Sequence, residues 1–177
     1  GTTGLTGATG LTGAAGTAGA TGATGALLAG GLVGDWRLEV VETVAPTLPH
    51  VPALGVTIIQ VRDPHHPQAE VGLAALRALV ARVRPDLIVL TGDIVAHATG
   101  VARLAQYADL GARWGTVYCF GNHEYMAFHG DRARTRAVLE AACAAAGIRV
   151  LRDAWGPRWL TPSGWGLQLV GLDDHVE

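Results

Sequence analysis

"RPDLIVLTGDIV", residues 84–95, is the stretch on which the fold reading turns. Pro85 cannot donate to a helical ladder and disfavours helix in the residue before it, so Pro85-Asp86 breaks any helix arriving from upstream. Leu87 to Thr91 is then a short, unbroken apolar run rich in branched side chains. That is the pattern of a strand buried on both faces. Gly92-Asp93 ends it.

The flanking sequence supplies the partners such a strand needs. Before it, "AEVGLAALRALVARV" (69–83) has apolar residues at helical spacing, with Arg77, Arg82 and Arg84 on or near the exposed side. Further upstream, "GVTIIQV" (55–61) reads as a second buried strand, "PTLPHVPAL" as a proline-punctuated connector and "RLEVVETV" as another strand. Downstream come a helix over 101–113, the strand "TVYCF" (116–120) and a helix near 131–146 stopped by Gly147. "IRVL" (148–151) and "GLQLVGL" (166–172) read as two more strands. Strands alternating with helices imply an α/β fold with a mainly parallel sheet. Open sheets of this class bind ligands beyond the carboxyl ends of their strands, which directs attention to the residues just after 61, 91 and 120.

Those residues are chemically alike. Asp63-Pro64-His65 follows the first strand, Gly92-Asp93 the second, and Gly121-Asn122-His123-Glu124 the third. One Asp at a strand end is an ordinary turn residue. Three polar clusters delivered to one sheet edge are not. Carboxylate, imidazole and amide oxygen together suit divalent ions of the Mn, Fe, Zn or Co class. With no thiolate nearby, a structural zinc cage is disfavoured. A single Asp on the middle strand suits a paired-metal centre, in which ions ~3.5–4 Å apart clamp a phosphate. Gly92 and Gly121 fit sharp turns or a close approach of backbones.

Taken together, "D-P-H", "GD" and "GNHE" resemble the calcineurin-like metallophosphoesterase superfamily, whose pattern is D-x-H, G-D-x-x and G-N-H-[DE]. The segments "PTLPHVPALGVTIIQVRDPHH", "RPDLIVLTGDIV", "GTVYCFGNHEY", "AGIRVLRD" and "LQLVGLDD" follow the order seen in its membrane-associated bacterial branch, over roughly residues 38–174. The resemblance implies a two-sheet sandwich flanked by helices and hydrolysis of a phosphoester substrate by hydroxide held between two divalent metal ions. Asp63 and His65 would bind the first ion, Asp93 would bridge both and Asn122 would bind the second. His123 would act on the leaving oxygen or the transition state rather than as a ligand, and Glu124 would orient His123 or the loop. Arg62 stands where the pattern has Ser, placing a guanidinium beside a dication site. The pattern's later histidines, one in the C-terminal half and a G-H-x-H pair, have no counterpart here. The chain therefore reads as an N-terminal fragment lacking the C-terminal part of the domain, inactive alone. The alternative function is a catalytically incomplete fragment or a noncatalytic membrane-associated module. A metal-dependent hydrolase of the amidohydrolase type would prefer His-x-His on the first strand and fits less well.

Composition narrows the rest. The net charge of −2 gives no reason to expect a nucleic acid partner, and all thirteen basic residues are Arg, which removes lysine Schiff-base and P-loop chemistry. Residues 1–34 are uncharged and rich in Gly, Thr and Ala, with Gly at every third position from Gly1 to Gly25. Without proline that period does not make a stable collagen helix. The segment reads as a flexible leader or a weak membrane anchor, with the folded domain spanning 35–177 and the protein membrane-associated or else cytoplasmic. The chain begins at Gly1 and its only methionine is Met126, so the ends read as open. Cys119 and Cys143 read as two buried thiols. His50, His66, His97, His129 and His175 read as loop residues, Asp173-Asp174 as structural or outer to the site, and Trp155, Trp159 and Trp165 as packing residues with a lipid patch as the sharper reading.

Overall fold

The computed structural model describes residues 24–29, 38–43, 55–65 and 70–174. A parallel sheet forms its centre. Strands β3 (Ile58–Val61), β4 (Leu87–Thr91), β5 (Thr116–Cys119) and β6 (Arg149–Val150) lie in that order, each parallel to its neighbour. Helix α1 (Glu70–Val83) connects β3 to β4, and helix α4 (Arg132–Ala146) precedes β6. A hairpin of β1 (Thr24–Ala29) and β2 (Leu38–Thr43) and a second of β7 (Ala154–Leu160) and β8 (Gly166–Gly171) are both antiparallel.

The period-2 geometry of β4 explains the layering. Ile88 and Leu90 point to one side, where they are buried with Leu73, Leu76 and Val80 of α1, Leu139 and Cys143 of α4, and Tyr118 of β5. Leu87 and Val89 point to the other, where they meet Val117, Cys119 and Leu151 with Trp159 and Leu169 of the second hairpin. Helices thus cover one face of the parallel sheet and antiparallel strands cover part of the other, the two-sheet α/β arrangement expected. Trp114 stacks on Trp159 across the second layer, with ring centroids 5.9 Å apart and an interplanar angle of 17°. Cys143 is buried on the helical side and Cys119 half-buried on the hairpin side, and both thiols are free.

Helix α4 begins and ends as its sequence dictates. The Asp131 carboxylate accepts the Arg134 N–H at 2.9 Å, and Gly147 closes the helix in the left-handed conformation at φ 76°. The segment expected to be one helix over 101–113 is instead a 3-10 turn (Ala98–Arg103) followed by a single turn of α-helix, α2 (Ala105–Ala108). Leu104, Tyr107 and Leu110, the residues that bury there, recur every third position, a spacing that the 3-10 geometry satisfies as well as an α-helix does. Strand β7, "AWGPRWL", escapes sequence reading because it contains Gly156 and Pro157. Its register shifts between Trp155 and Arg158, an irregularity of the kind that admits a proline.

Trp159 packs in the second layer, whereas Trp155 and Trp165 are exposed, contrary to the packing expected for all three. Of the uncharged leader, the structure describes only Thr24–Ala29, as β1, so its reading as a flexible segment or anchor lies otherwise outside the described residues. Among the described residues no helix is long and apolar enough to cross a membrane. His50, His66 and His175 also lie outside the described residues, while His97 and His129 are exposed, as loop histidines would be.

Candidate metal centre

The carboxyl ends of β3, β4 and β5 bring His65, Asp93 and His123 together. One ligand atom from each lies within 4.8 Å of the others, and all three residues are half-buried. A single ion at ~2.0–2.2 Å from each donor requires ligand atoms no more than about 4.4 Å apart, so closing the group takes only a few tenths of an ångström. Two imidazoles and a carboxylate fit divalent ions of the Mn, Fe, Zn or Co class, as the sequence-level donor set did. The two imidazoles meet edge to face, with centroids 4.3 Å apart and planes at 86°.

The loops reach this arrangement through an unusual backbone. Asp63, His65 and Asp93 all have left-handed φ values, of 55°, 49° and 56°. Asp and His enter that region more readily than most residues, but three instances at one edge require the surroundings to hold them. Backbone bonds do part of this: the Asp63 N–H donates to the Gly92 carbonyl at 3.3 Å and the His65 N–H to the Asp93 carbonyl at 3.0 Å. Gly92, at φ 90°, and Gly121 press their backbones together. A Cβ on Gly121 would stand 2.4 Å from Asp93 Oδ1, and one on Gly92 would stand 3.0 Å from Gly121 Cα. The close approach expected of these glycines is observed, and it is what lets the second and third loops share the site.

Glu124 holds the two loops in register. Its side chain is fully buried and accepts five hydrogen bonds. Oε2 takes the N–H groups of Asp93 (2.9 Å) and Gly121 (2.7 Å), while Oε1 takes those of Ile94 (2.7 Å) and Val95 (2.9 Å) and the Tyr118 hydroxyl (2.6 Å). A carboxylate is the side-chain group that accepts this many donors without offering one itself. Burial first, and then the charge and hydrogen bond of Glu124, push the Tyr118 phenol well above its usual range and keep it a donor. The reading of Glu124 as a residue that orients the loop agrees with this placement. Tyr118 was not singled out in the sequence, and its inward position on β5 was the available signal.

Helix α3 (Asn122–Met126) carries the third cluster. The His123 N–H donates to Asp93 Oδ1 at 3.0 Å, linking the backbone of one cluster to the carboxylate of another. Asn122 is exposed, its amide nitrogen 3.8 Å from Met126 Sδ. Asp63 is not in the chelating group; its carboxylate faces the Arg62 guanidinium at 3.4 Å. Thus of the five residues singled out by sequence, His65, Asp93 and His123 converge, Asp63 lies at the same edge outside that group of acidic and imidazole side chains, and Asn122 stands exposed at the start of α3. His123, expected to act without chelating, has its ring in the group.

Asp173 anchors α3 from behind. Its fully buried carboxylate accepts the Tyr125 hydroxyl at 2.6 Å and pairs with Arg136 at 3.1 Å, with Arg132 and Arg152 each at 3.9 Å. This is the structural role expected for the acidic pair, and the link to Tyr125 places it on the helix that carries His123.

A family model described as calcineurin-like phosphoesterase matches residues 56–164. No curated protein matches the chain in sequence. Among solved structures, the phosphopantetheinyl hydrolase of Mycobacterium tuberculosis aligns with a TM-score of 0.49 at 17% identity. That alignment covers 67% of this chain and 43% of the hydrolase, so the chain spans less than half of that protein's length.

Proposed function

We propose a metal-dependent phosphoester hydrolase on one premise: the chain belongs to the calcineurin-like phosphoesterase family. The observation that carries the reading is the convergence of His65, Asp93 and His123 at the ends of three adjacent parallel strands. Divalent ions bound there supply Lewis-acid polarisation of a phosphoryl group and a nucleophilic water at neutral pH. The protein's own residues do the rest. His65 and Asp93 would hold a cation, and the Glu124 bonds keep the Asp93 backbone in place for it. In a two-ion form Asp63 and His65 would hold the first ion, Asp93 would serve both and Asn122 would hold the second, which would leave His123 free to protonate the leaving oxygen. In a one-ion form His123 is itself a ligand, a reading favoured by its place in the chelating group and by the Arg62 contact that occupies Asp63.

The substrate is a phosphodiester or pyrophosphate, brought close to a membrane by the uncharged leader; co-sedimentation of the chain with liposomes tests that location. The second function, a catalytically incomplete or noncatalytic module, is favoured by the same Arg62–Asp63 contact. Mn-dependent hydrolysis of bis-p-nitrophenyl phosphate separates the two. Activity that disappears in Asp93→Asn supports the enzyme, and activity unchanged in that variant contradicts the role given to Asp93.

A further inference from the structure

Three segments deliver the site: 62–65, 92–97 and 121–126. Arg62 is the only Arg in them, and the chain has no Lys. Its side chain is 76% exposed, and the Asp63 carboxylate it faces at 3.4 Å is 49% exposed. Such a pair is long, solvated and adds little to stability, so it exchanges partners easily. The same is not true of the other carboxylates at this edge. Asp93 accepts a backbone N–H and Glu124 is saturated with donors.

We infer that Arg62 is the specificity-determining residue for the substrate's phosphate, narrowing the proposed phosphodiester-or-pyrophosphate class to its pyrophosphate arm by favouring phosphoryl groups that carry a second negative charge, as pyrophosphates and terminal monoesters do, over simple diesters. The inference rests on the reading of the strand ends as a divalent-metal phosphoesterase centre. When a cation takes Asp63, the guanidinium loses its carboxylate and faces a like charge. A phosphate oxygen not engaged by metal relieves both. The planar fork of arginine matches two phosphate oxygens at once, and its charge is independent of pH in the working range. A diester monoanion has only two non-bridging oxygens, which divalent ions at the site would engage, and no further anionic oxygen to offer. A monoester dianion or a pyrophosphate has one to spare. Arg62 stands one residue before Asp63 and three before His65, so its solvated guanidinium lies on the loop that carries both.

Titration of inorganic phosphate into Mn-saturated protein, followed by calorimetry, tests this without requiring turnover. Arg62→Ser should weaken phosphate by about tenfold or more, the scale of a hydrogen bond to a charged group, with Arg62→Lys in between. In hydrolysis the loss should fall on KM for p-nitrophenyl phosphate and change KM for bis-p-nitrophenyl phosphate by less than about threefold. Phosphate affinity unchanged in Arg62→Ser, with Mn affinity increased, would overturn the inference and make Arg62 only a brake on metal. Equal losses for monoester and diester would overturn the selectivity. Wild-type protein that binds no Mn would overturn the inference together with the metal centre, whereas wild-type binding of Mn with no effect of Arg62→Ser overturns the role of Arg62 alone.

Discussion

The buried Glu124 carboxylate accepts the backbone N–H of Asp93 at 2.9 Å, so the residue next to His123 fixes the loop that supplies the central carboxylate of the site. The sequence motif "GNHE" therefore has two functions in four residues. His123 is one of the three potential ligands, and Glu124 faces inward to pin the neighbouring loop.

Glu124→Gln converts one acceptor oxygen into a donor. Either orientation of the amide sets its N–H groups against at least two donors now served by Oε1 or Oε2. At roughly 1–3 kcal/mol for each buried group left unsatisfied, the expected loss of stability is about 2–4 kcal/mol, read from urea unfolding. Mn affinity should fall as well, because Asp93 loses its backbone support. Tyr118→Phe removes only one of the five donors and should be milder, by about 1 kcal/mol.

Gly121→Ala inserts a methyl group 2.4 Å from Asp93 Oδ1, 2.9 Å from Asp93 N and 3.0 Å from Gly92 Cα, so relief of the clash displaces both that carboxylate and the backbone that carries it. Overpacking of this kind typically destabilises by about 1–3 kcal/mol. The more telling outcome is functional: calorimetry should show Mn binding weakened by more than stability alone accounts for, with the circular dichroism of the fold retained.

Asp173→Asn leaves Arg136, Arg132 and Arg152 around a neutral side chain in a buried position. Removing one partner of a buried pair costs about 3–5 kcal/mol; with the arginines partly solvated, the lower end, about 3 kcal/mol, is expected in urea unfolding. Because Tyr125 loses a charged acceptor, α3 should loosen, and amide hydrogen exchange over Asn122–Met126 should quicken more than exchange in α1.

Much of the site was legible because strand ends are. Once 58–61, 87–91 and 116–119 are strands of one parallel sheet, Asp63, His65, Asp93 and His123 must arrive at one edge. What sequence did not supply is the set of partners across loops. The five donors to Glu124 come from four other residues on two loops and from Tyr118, and no local pattern announces that they share one carboxylate. Likewise, side-chain types alone did not separate His123 as ligand from His123 as acid. Strand β7 stayed hidden because Pro157 forbids the regular ladder that strand reading assumes. The helix expected over 101–113 broke up because a spacing of three serves two helix types.

Burial pushes the Cys143 thiol from an ordinary 9.0 up to about 12. The folded protein therefore keeps the proton after the unfolded chain has released it. Stability from this source is intact below pH ~9 and is lost as pH rises toward 12, by about 1.4 kcal/mol per unit. Cys143→Ala should flatten that slope in urea unfolding between pH 9 and 10.5, while an unchanged slope would mean the thiol reaches solvent.

The central claim is that the edge formed by His65, Asp93 and His123 is a divalent-cation site. Titration of the chain with Co2+, followed by visible absorption and calorimetry, tests it most directly. Wild-type protein should bind Co2+ with an absorption band of imidazole and carboxylate ligation, and Asp93→Asn should weaken that binding by at least about tenfold with the fold retained. Equal Co2+ binding by wild type and Asp93→Asn, or none by wild type, would contradict it.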